Sequence, residues 1–214
     1  MTIELIIFDL DGTLVDSCED IAQALNYCLK EKGIETFSKD EVREMIGEGV
    51  NRLIEKALQR RKVLMPIKDI VECFINYYRK HIADFSKLYP NVKETLEELK
   101  GIKKVVISNK LTELSIKTLE ALGILKFFDL IAGSDFFSER KPSAIPIIET
   151  MNRFSVSKEK TIIVGDSELD INAGLSAGVK TVAVTYGYRE RQFLKNADFI
   201  IDNFADLLKI VRNI

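Results

Sequence analysis

From about residue 91 onward the chain alternates helical patterns with short β-rich runs, and this alternation restricts its fold more than any other feature. The runs are Lys103–Ser108, Asp129–Ala132, Thr161–Gly165, Lys180–Thr185 and Asp198–Ile201. The helical patterns lie near 91–100, 111–122, 143–152, 168–177 and 203–212. Strands that alternate with helices are joined by right-handed crossovers, so the stretch predicts a parallel sheet covered by helices. The apolar segment Ile3-Glu4-Leu5-Ile6-Ile7-Phe8 reads as one more buried strand of that sheet.

A helical segment interrupts this α/β pattern. Ile21, Leu25, Cys28 and Leu29 have helical spacing, which ends near Gly33. Ser38-Lys39-Asp40-Glu41 matches a capping box at the start of a second helix. Gly47-Glu48-Gly49 breaks that helix, and Leu53, Ile54, Ala57 and Leu58 resume the period. A further helix after Pro66 carries Ile70, Val71, Phe74 and Tyr77. No strand pattern stands out between 16 and 87. The expected organisation is an α/β core of residues 1–15 and 88–214, with an all-helical domain of residues 16–87 inserted into it.

Composition excludes several classes of partner. The 214 residues carry 31 Lys+Arg against 33 Asp+Glu, so no basic excess points to nucleic acid or an anionic membrane surface. The apolar runs are too short to span a bilayer, and the N-terminus enters a strand without a signal-peptide pattern. Cys18, Cys28 and Cys73 lack metal-type spacing and read as small helix hydrophobes in a reducing compartment, which makes the cytoplasm the expected location. His81 is the sole histidine. A multi-histidine zinc site is therefore impossible, and no nucleophile elbow accompanies His81 for triad chemistry. It reads as a residue on a helix surface, leaving acid–base chemistry to carboxylates.

Asp9-Leu10-Asp11-Gly12-Thr13 follows the first strand directly. Two carboxylates therefore leave the carboxyl end of a strand together, where open α/β sheets place their ligands. One can serve as a nucleophile and the other as a proton shuttle, while Gly12 permits a sharp turn. The plain structural alternative is an acidic turn in which Asp16 or Ser17 caps the next helix. Three more polar groups sit at predicted strand ends. Ser108-Asn109 can cradle phosphate oxygens, Lys141 supplies a cation, and Gly165-Asp166-Ser167-Glu168-Leu169-Asp170 supplies more acid. Each alone is also an ordinary turn, solvated cation or helix cap. If the strands are neighbours, the groups converge on one crevice, and carboxylates crowded there need a compensating charge. An oxygen-only donor set beside a phosphate cradle fits Mg²⁺.

The order of these motifs resembles that of the haloacid dehalogenase superfamily, over essentially the whole chain. The resemblance implies a Rossmann-like core with a helical cap between the first and second motifs. It implies that Asp9 attacks phosphorus and forms an aspartyl-phosphate, and that Asp11 protonates the leaving alcohol and then deprotonates water. It further implies Mg²⁺ held by the Asp9 carboxylate, the Asp11 main-chain carbonyl and Asp166, with Asp170 acting directly or through water. Phosphate would be bound by Ser108, Lys141 and nearby backbone amides, with Gly12, Thr13 and Asn109 as further substrate-binding candidates. A second acid at position 11 favours a phosphatase or phosphomutase over a dehalogenase or a transport ATPase.

A narrower resemblance is to bacterial phosphoglycolate phosphatases. It rests on Asp11-Gly12-Thr13-Leu14-Val15-Asp16-Ser17, Val42-Arg43-Glu44-Met45-Ile46-Gly47-Glu48-Gly49, Tyr89-Pro90-Asn91-Val92 and Val184-Thr185-Tyr186-Gly187-Tyr188. Glu48 departs from an expected Asn, and Ala144 from a frequent Pro. The resemblance implies a small phosphorylated metabolite as substrate, no nucleic acid or membrane partner, and a monomer or homodimer. A sugar phosphomutase, a pyrophosphatase and a non-catalytic regulatory domain are the alternatives. Arg43, Arg52 and Lys56, close to Glu48, are candidate contacts to an acidic substrate.

Overall fold

The strand Leu5–Phe8 (β1) is buried along its whole length and lies in the middle of a sheet, where an apolar run belongs when both faces are covered. The computed structural model describes residues 2–213. β1 pairs in parallel with Lys103–Ile107 (β4) on one side and Thr161–Gly165 (β6) on the other, with Leu5 opposite both Lys103 and Thr161. Leu130–Ala132 (β5), Lys180–Val184 (β7) and Phe199–Ile201 (β8) complete a parallel sheet of order β5-β4-β1-β6-β7-β8. The chain winds outward from β1 in one direction, returns, and winds outward in the other. The carboxyl ends of β1, β4 and β6 therefore flank a topological switch point, where open sheets form a crevice.

Alternate side chains serve opposite faces. Ile6, Phe8, Val106, Val164 and Val182 pack with Val92 and Leu96 of helix Val92–Glu98 (α5) and with Leu207 of Leu207–Asn213 (α9). Leu5, Ile7, Val105, Ile107 and Ile163 pack with Ile147 and Met151 of Ile145–Phe154 (α7) and Ala173 of Glu168–Ala177 (α8). Helix Thr112–Ala121 (α6) completes the cover.

Four helices lie between β1 and α5: Cys18–Glu31 (α1), Lys39–Met45 (α2), Gly49–Arg60 (α3) and Lys68–Lys80 (α4). They enclose a separate apolar cluster that includes Leu25, Met45, Leu53, Ile54, Ile70, Phe74 and Tyr78. The capping box at Ser38 is present, with the Ser38 N–H donating to Glu41 Oε2 at 2.7 Å and Glu41 N–H donating to Ser38 Oγ at 3.3 Å.

Two features depart from expectation. The chain enters and leaves the helical segment as an antiparallel ribbon, Val15–Asp16 (β2) against Lys87–Leu88 (β3). Two-residue strands are too short to show a period. Beside them, buried Asp20 accepts from the backbone N–H groups of Phe85 and Ser86, at 3.0 and 2.8 Å, and clamps the two crossings together. Second, Cys28 and Cys73 form a disulfide instead of remaining free hydrophobes. α1 and α4 pack side by side and bring the two Cα atoms to 5.9 Å, a pairing across 45 residues that helical spacing alone does not reveal. The bridge withdraws the cysteines as an argument for a reducing compartment. Cys18 is free and buried. No helix among the described residues is long and apolar enough to cross a membrane.

The bridge yields a direct expectation. Under denaturing, non-reducing conditions one thiol per chain should react with a thiol reagent, rising to three after reduction. Three reactive thiols before reduction would contradict it. Closing a loop of 45 residues stabilises the folded chain by about 4 kcal/mol in the chain-entropy model, so Cys28→Ser should lower unfolding stability by roughly 2–4 kcal/mol.

Candidate active site

The carboxyl ends of β1, β4 and β6, with the segment after β5, bring the expected motifs to one place. Asp9 follows β1, and its backbone N–H donates to the Val164 carbonyl of β6 at 2.9 Å. Lys141, itself buried, places Nζ 2.6 Å from Asp9 Oδ1 and 2.6 Å from Asp170 Oδ1. Asp170 lies in the first turn of α8, where its other oxygen accepts from Ser167 Oγ at 2.6 Å. Both Asp170 oxygens thus have protein partners, and the residue holds Lys141 against Asp9. Asp166, at the end of β6, accepts from the Tyr188 backbone N–H at 2.7 Å.

Oxygens of Asp9, Asp166 and Asp170 lie within 4.8 Å of one another, all from buried residues. Gly12 makes this approach possible. Its φ is +93°, and a Cβ there would come within 2.3 Å of Asp166 Oδ2. The electrostatics are unbalanced. Burial, reinforced by the Asp170 and Asp11 charges and opposed by Lys141, pushes the Asp9 carboxyl up to about 7. Burial and the charges of Asp9 and Asp170 push Asp166 well above the usual carboxylate range. Burial would lower the Lys141 ammonium, but Asp170 and Asp9 more than offset it and hold it above its ordinary value. Three buried carboxylates face one ammonium, and a divalent cation would restore neutrality. The donor set fits a hard, oxygen-seeking metal.

Asp11 points elsewhere. Its Oδ1 accepts from Ser17 Oγ at 2.5 Å and from Lys110 Nζ at 2.6 Å. Lys110 also donates to the Tyr78 hydroxyl of α4 at 2.9 Å. The Asp11 carboxylate is not part of the three-acid cluster. Two acids only two residues apart therefore occupy different surroundings, one among acids and Lys141, the other facing the helical segment.

The remaining candidates divide. Ser108 is buried on the cavity wall, its Oγ accepting from the Lys110 backbone N–H at 3.2 Å. Asn109 also lines the cavity, and its amide donates to the carbonyls of Gly47 at 2.9 Å and Lys141 at 3.0 Å. It ties the helical segment to the Lys141 loop, leaving its own Oδ1 without a partner among the described residues. Gly12 and Thr13 are not among the cavity-lining residues. Thr13 is fully buried, its carbonyl accepting from the Tyr186 hydroxyl at 2.9 Å.

The helical segment lies over the site. Arg189, beyond β7, donates to the Ile46 carbonyl at 2.6 Å, and the Tyr188 hydroxyl accepts from Ser17 N–H at 2.8 Å. Gly49 approaches so closely that a Cβ would lie 2.9 Å from the Asn109 carbonyl oxygen. The cavity beneath it, about 70 Å³ and partly open, has a polar floor that includes Asp9, Ser108, Lys141 and Asp166. Ile21, Ile46, Val50, Leu53 and Phe74 give it an apolar roof. Arg43, Arg52 and Lys56 do not line it. Glu48, equally absent from the wall, pairs with Lys56 at 2.5 Å and Arg52 at 3.6 Å, and Arg52 also pairs with Glu55 at 2.6 Å. Arg52 and Lys56 are thus neutralised by the acids Glu48 and Glu55, their neighbours in sequence, instead of reaching the cavity. The cations on the wall are Lys110, Lys141 and Arg189, all outside the helical segment. Lys110 was hidden because a lysine three residues past a strand end reads as solvated. His81 ends α4 and pairs with Asp84 at 2.7 Å, away from the cavity.

Proteins similar to this chain carry phosphatase names. The phosphoglycolate phosphatase of Aquifex aeolicus is 43% identical over 211 residues, covering 98% of this chain and 97% of its own. That of Photorhabdus laumondii is 39% identical over 216 residues, covering 98% and 92%. A crystal structure described as a predicted phosphoglycolate phosphatase from Haemophilus somnus superposes with a TM-score of 0.92 at 36% identity, covering 98% of each chain. The model of the haloacid dehalogenase-like hydrolases matches residues 6–184. With that match over most of its length and relatives 43% and 39% identical along nearly the whole sequence, the chain belongs to the haloacid dehalogenase-like hydrolase family.

Proposed function

We propose that this phosphatase hydrolyses a small phosphate monoester, 2-phosphoglycolate, by way of a phosphoryl group carried on Asp9. The observation that supports the reading best is the split environment of the two acids that follow β1. Asp9 would attack phosphorus while the bond to the ester oxygen breaks. The electron pair leaves on that oxygen, which takes a proton from Asp11. Water then attacks the same phosphorus, Asp11 accepts its proton, and phosphate leaves with Asp9 restored. Lys141 would hold the Asp9 oxygen in line and offset the negative charge gathering around phosphorus. Ser108 and adjacent backbone N–H groups would hold the phosphate oxygens. The Asp9 carboxylate, the Asp11 main-chain carbonyl and Asp166 would hold Mg²⁺, with Asp170 beside it. When bound, that ion supplies positive charge against the repulsion between carboxylate and phosphate.

On a division at residues 15/16 and 87/88, the four helices act as a lid, and the ribbon β2–β3 marks its two crossings. Its apolar roof would exclude water while the phosphoryl group sits on Asp9. The small cavity between the acid cluster and the helical roof, about 70 Å³, is in keeping with a small ester. Identity of up to 43% with proteins named phosphoglycolate phosphatase supports the same substrate. Such multiply charged esters do not cross membranes unaided, so on this reading the enzyme would act inside the cell, in the cytoplasm.

Asp9→Asn should fold normally and lose at least about a thousandfold in kcat, an amide being a poor nucleophile. Beryllium fluoride should be found attached to Asp9 in a structure of the trapped enzyme. Attachment to another side chain would reject the assignment. Asp11→Asn should cost about 10²–10⁴ in rate with alkyl phosphates and much less with aryl phosphates, whose leaving groups need less protonation. An equal loss across a leaving-group series would show that Asp11 carries no proton.

A further inference from the structure

Lys110 has no assigned part in the scheme above, yet it is among the most enclosed charges of the cavity. Its side chain retains 7% of its exposure, and Nζ lies between Asp11 Oδ1 at 2.6 Å and the Tyr78 hydroxyl at 2.9 Å. Burial alone would lower the ammonium; Asp11 and Tyr78 more than offset it and hold it above the ordinary lysine value, so it stays charged. An ammonium has three donors, and the described residues take two of them. The other cations on the wall lie elsewhere: Lys141 sits among the acids of the floor, between Asp9 and Asp170, and Arg189 donates to the Ile46 carbonyl.

We propose that Lys110 is the specificity residue, receiving on its remaining donor the carboxylate that a small acidic ester carries next to its bridging oxygen. This deepens the substrate reading above and rests on it. The argument is one of distances. Asp11 must touch the bridging oxygen to protonate it, at about 2.5–3.0 Å. In a two-carbon ester a carboxylate oxygen lies about 3 Å from that same oxygen, by ordinary bond lengths. A cation 2.6 Å from Asp11 Oδ1 on the lid side is thus within contact of that carboxylate. The roof around it is apolar, so an anionic group entering there has few other partners and would be held at low dielectric. Tyr78 extends from α4 to the same ammonium, so the recognition point is completed by a lid residue.

The test compares 2-phosphoglycolate with 2-hydroxyethyl phosphate, equal in length and neutral at its far end. Wild-type enzyme should favour the acid in kcat/KM. Lys110→Met should slow both esters, because Asp11 loses a partner, and the ratio cancels that shared loss. The acid-to-neutral ratio should fall by at least about 30-fold, mainly through KM, while Lys110→Arg should keep it within a few-fold of wild type. If thermal unfolding shows that Lys110→Met does not fold, Arg189→Gln decides instead. It should retain the acid preference, and its loss there would assign recognition to Arg189 and overturn the proposal. An enzyme that prefers the acid and keeps that preference in Lys110→Met overturns this inference alone. A wild-type enzyme with no preference for the acid overturns the substrate reading beneath it.

Discussion

The bridge that Lys141 makes between Asp9 and Asp170 is the interaction on which the site depends. Carboxylates that follow two different strands would repel one another in a buried crevice, and the ammonium 2.6 Å from each holds them together. That contact requires β1 and β6 to be neighbours with the segment after β5 curling over them, which the strand order provides. The price is an excess of negative charge, visible in the upward displacement of Asp9 and Asp166. A site arranged in this way is incomplete without a cation and receptive to one.

The same loop gives its two acids different neighbours. Asp9 stays beneath, in the floor of the cavity. Asp11, past the turn at Gly12, meets Ser17 and Lys110, and through Lys110 the Tyr78 hydroxyl of the lid. The lid is built as a separate apolar cluster stapled by Cys28–Cys73 and joined to the core by a two-residue ribbon clamped by Asp20. It meets the core through polar contacts, Arg189 to Ile46, Asn109 to Gly47, Tyr188 to Ser17, Lys110 to Tyr78 and Arg79 to Glu113, and through Leu111, Leu114 and Tyr188, which pack with its apolar cluster.

Much of this was legible in the sequence, for reasons particular residues make plain. Leu5–Phe8 and Thr161–Gly165 are continuous apolar runs because both faces of a parallel sheet are covered, and their polar successors fall at the crevice by topology. The Ser38 capping box is a local signal and was readable as such. What escaped is non-local or too short. The ribbon has no period, the disulfide joins helices 45 residues apart, and Lys110 acquires its meaning only when Tyr78 and Asp11 close around it. Arg43, Arg52 and Lys56 misled because proximity to Glu48 along the chain does not say which side of a helix faces the cavity.

The central claim is that the three buried acids, two of them bridged by Lys141, form a divalent-cation site whose charge is unbalanced without the ion. Thermal unfolding with and without Mg²⁺, on the wild-type protein and on Asp166→Asn, tests it most directly. Wild type should be stabilised by Mg²⁺, by about 2.7 kcal/mol at a hundredfold excess over the dissociation constant. Asp166→Asn should lose most of that response while unfolding no earlier than wild type in the absence of metal, because a repelling charge is gone. A wild-type transition indifferent to Mg²⁺, or an Asp166→Asn variant that responds as wild type does, would contradict the account.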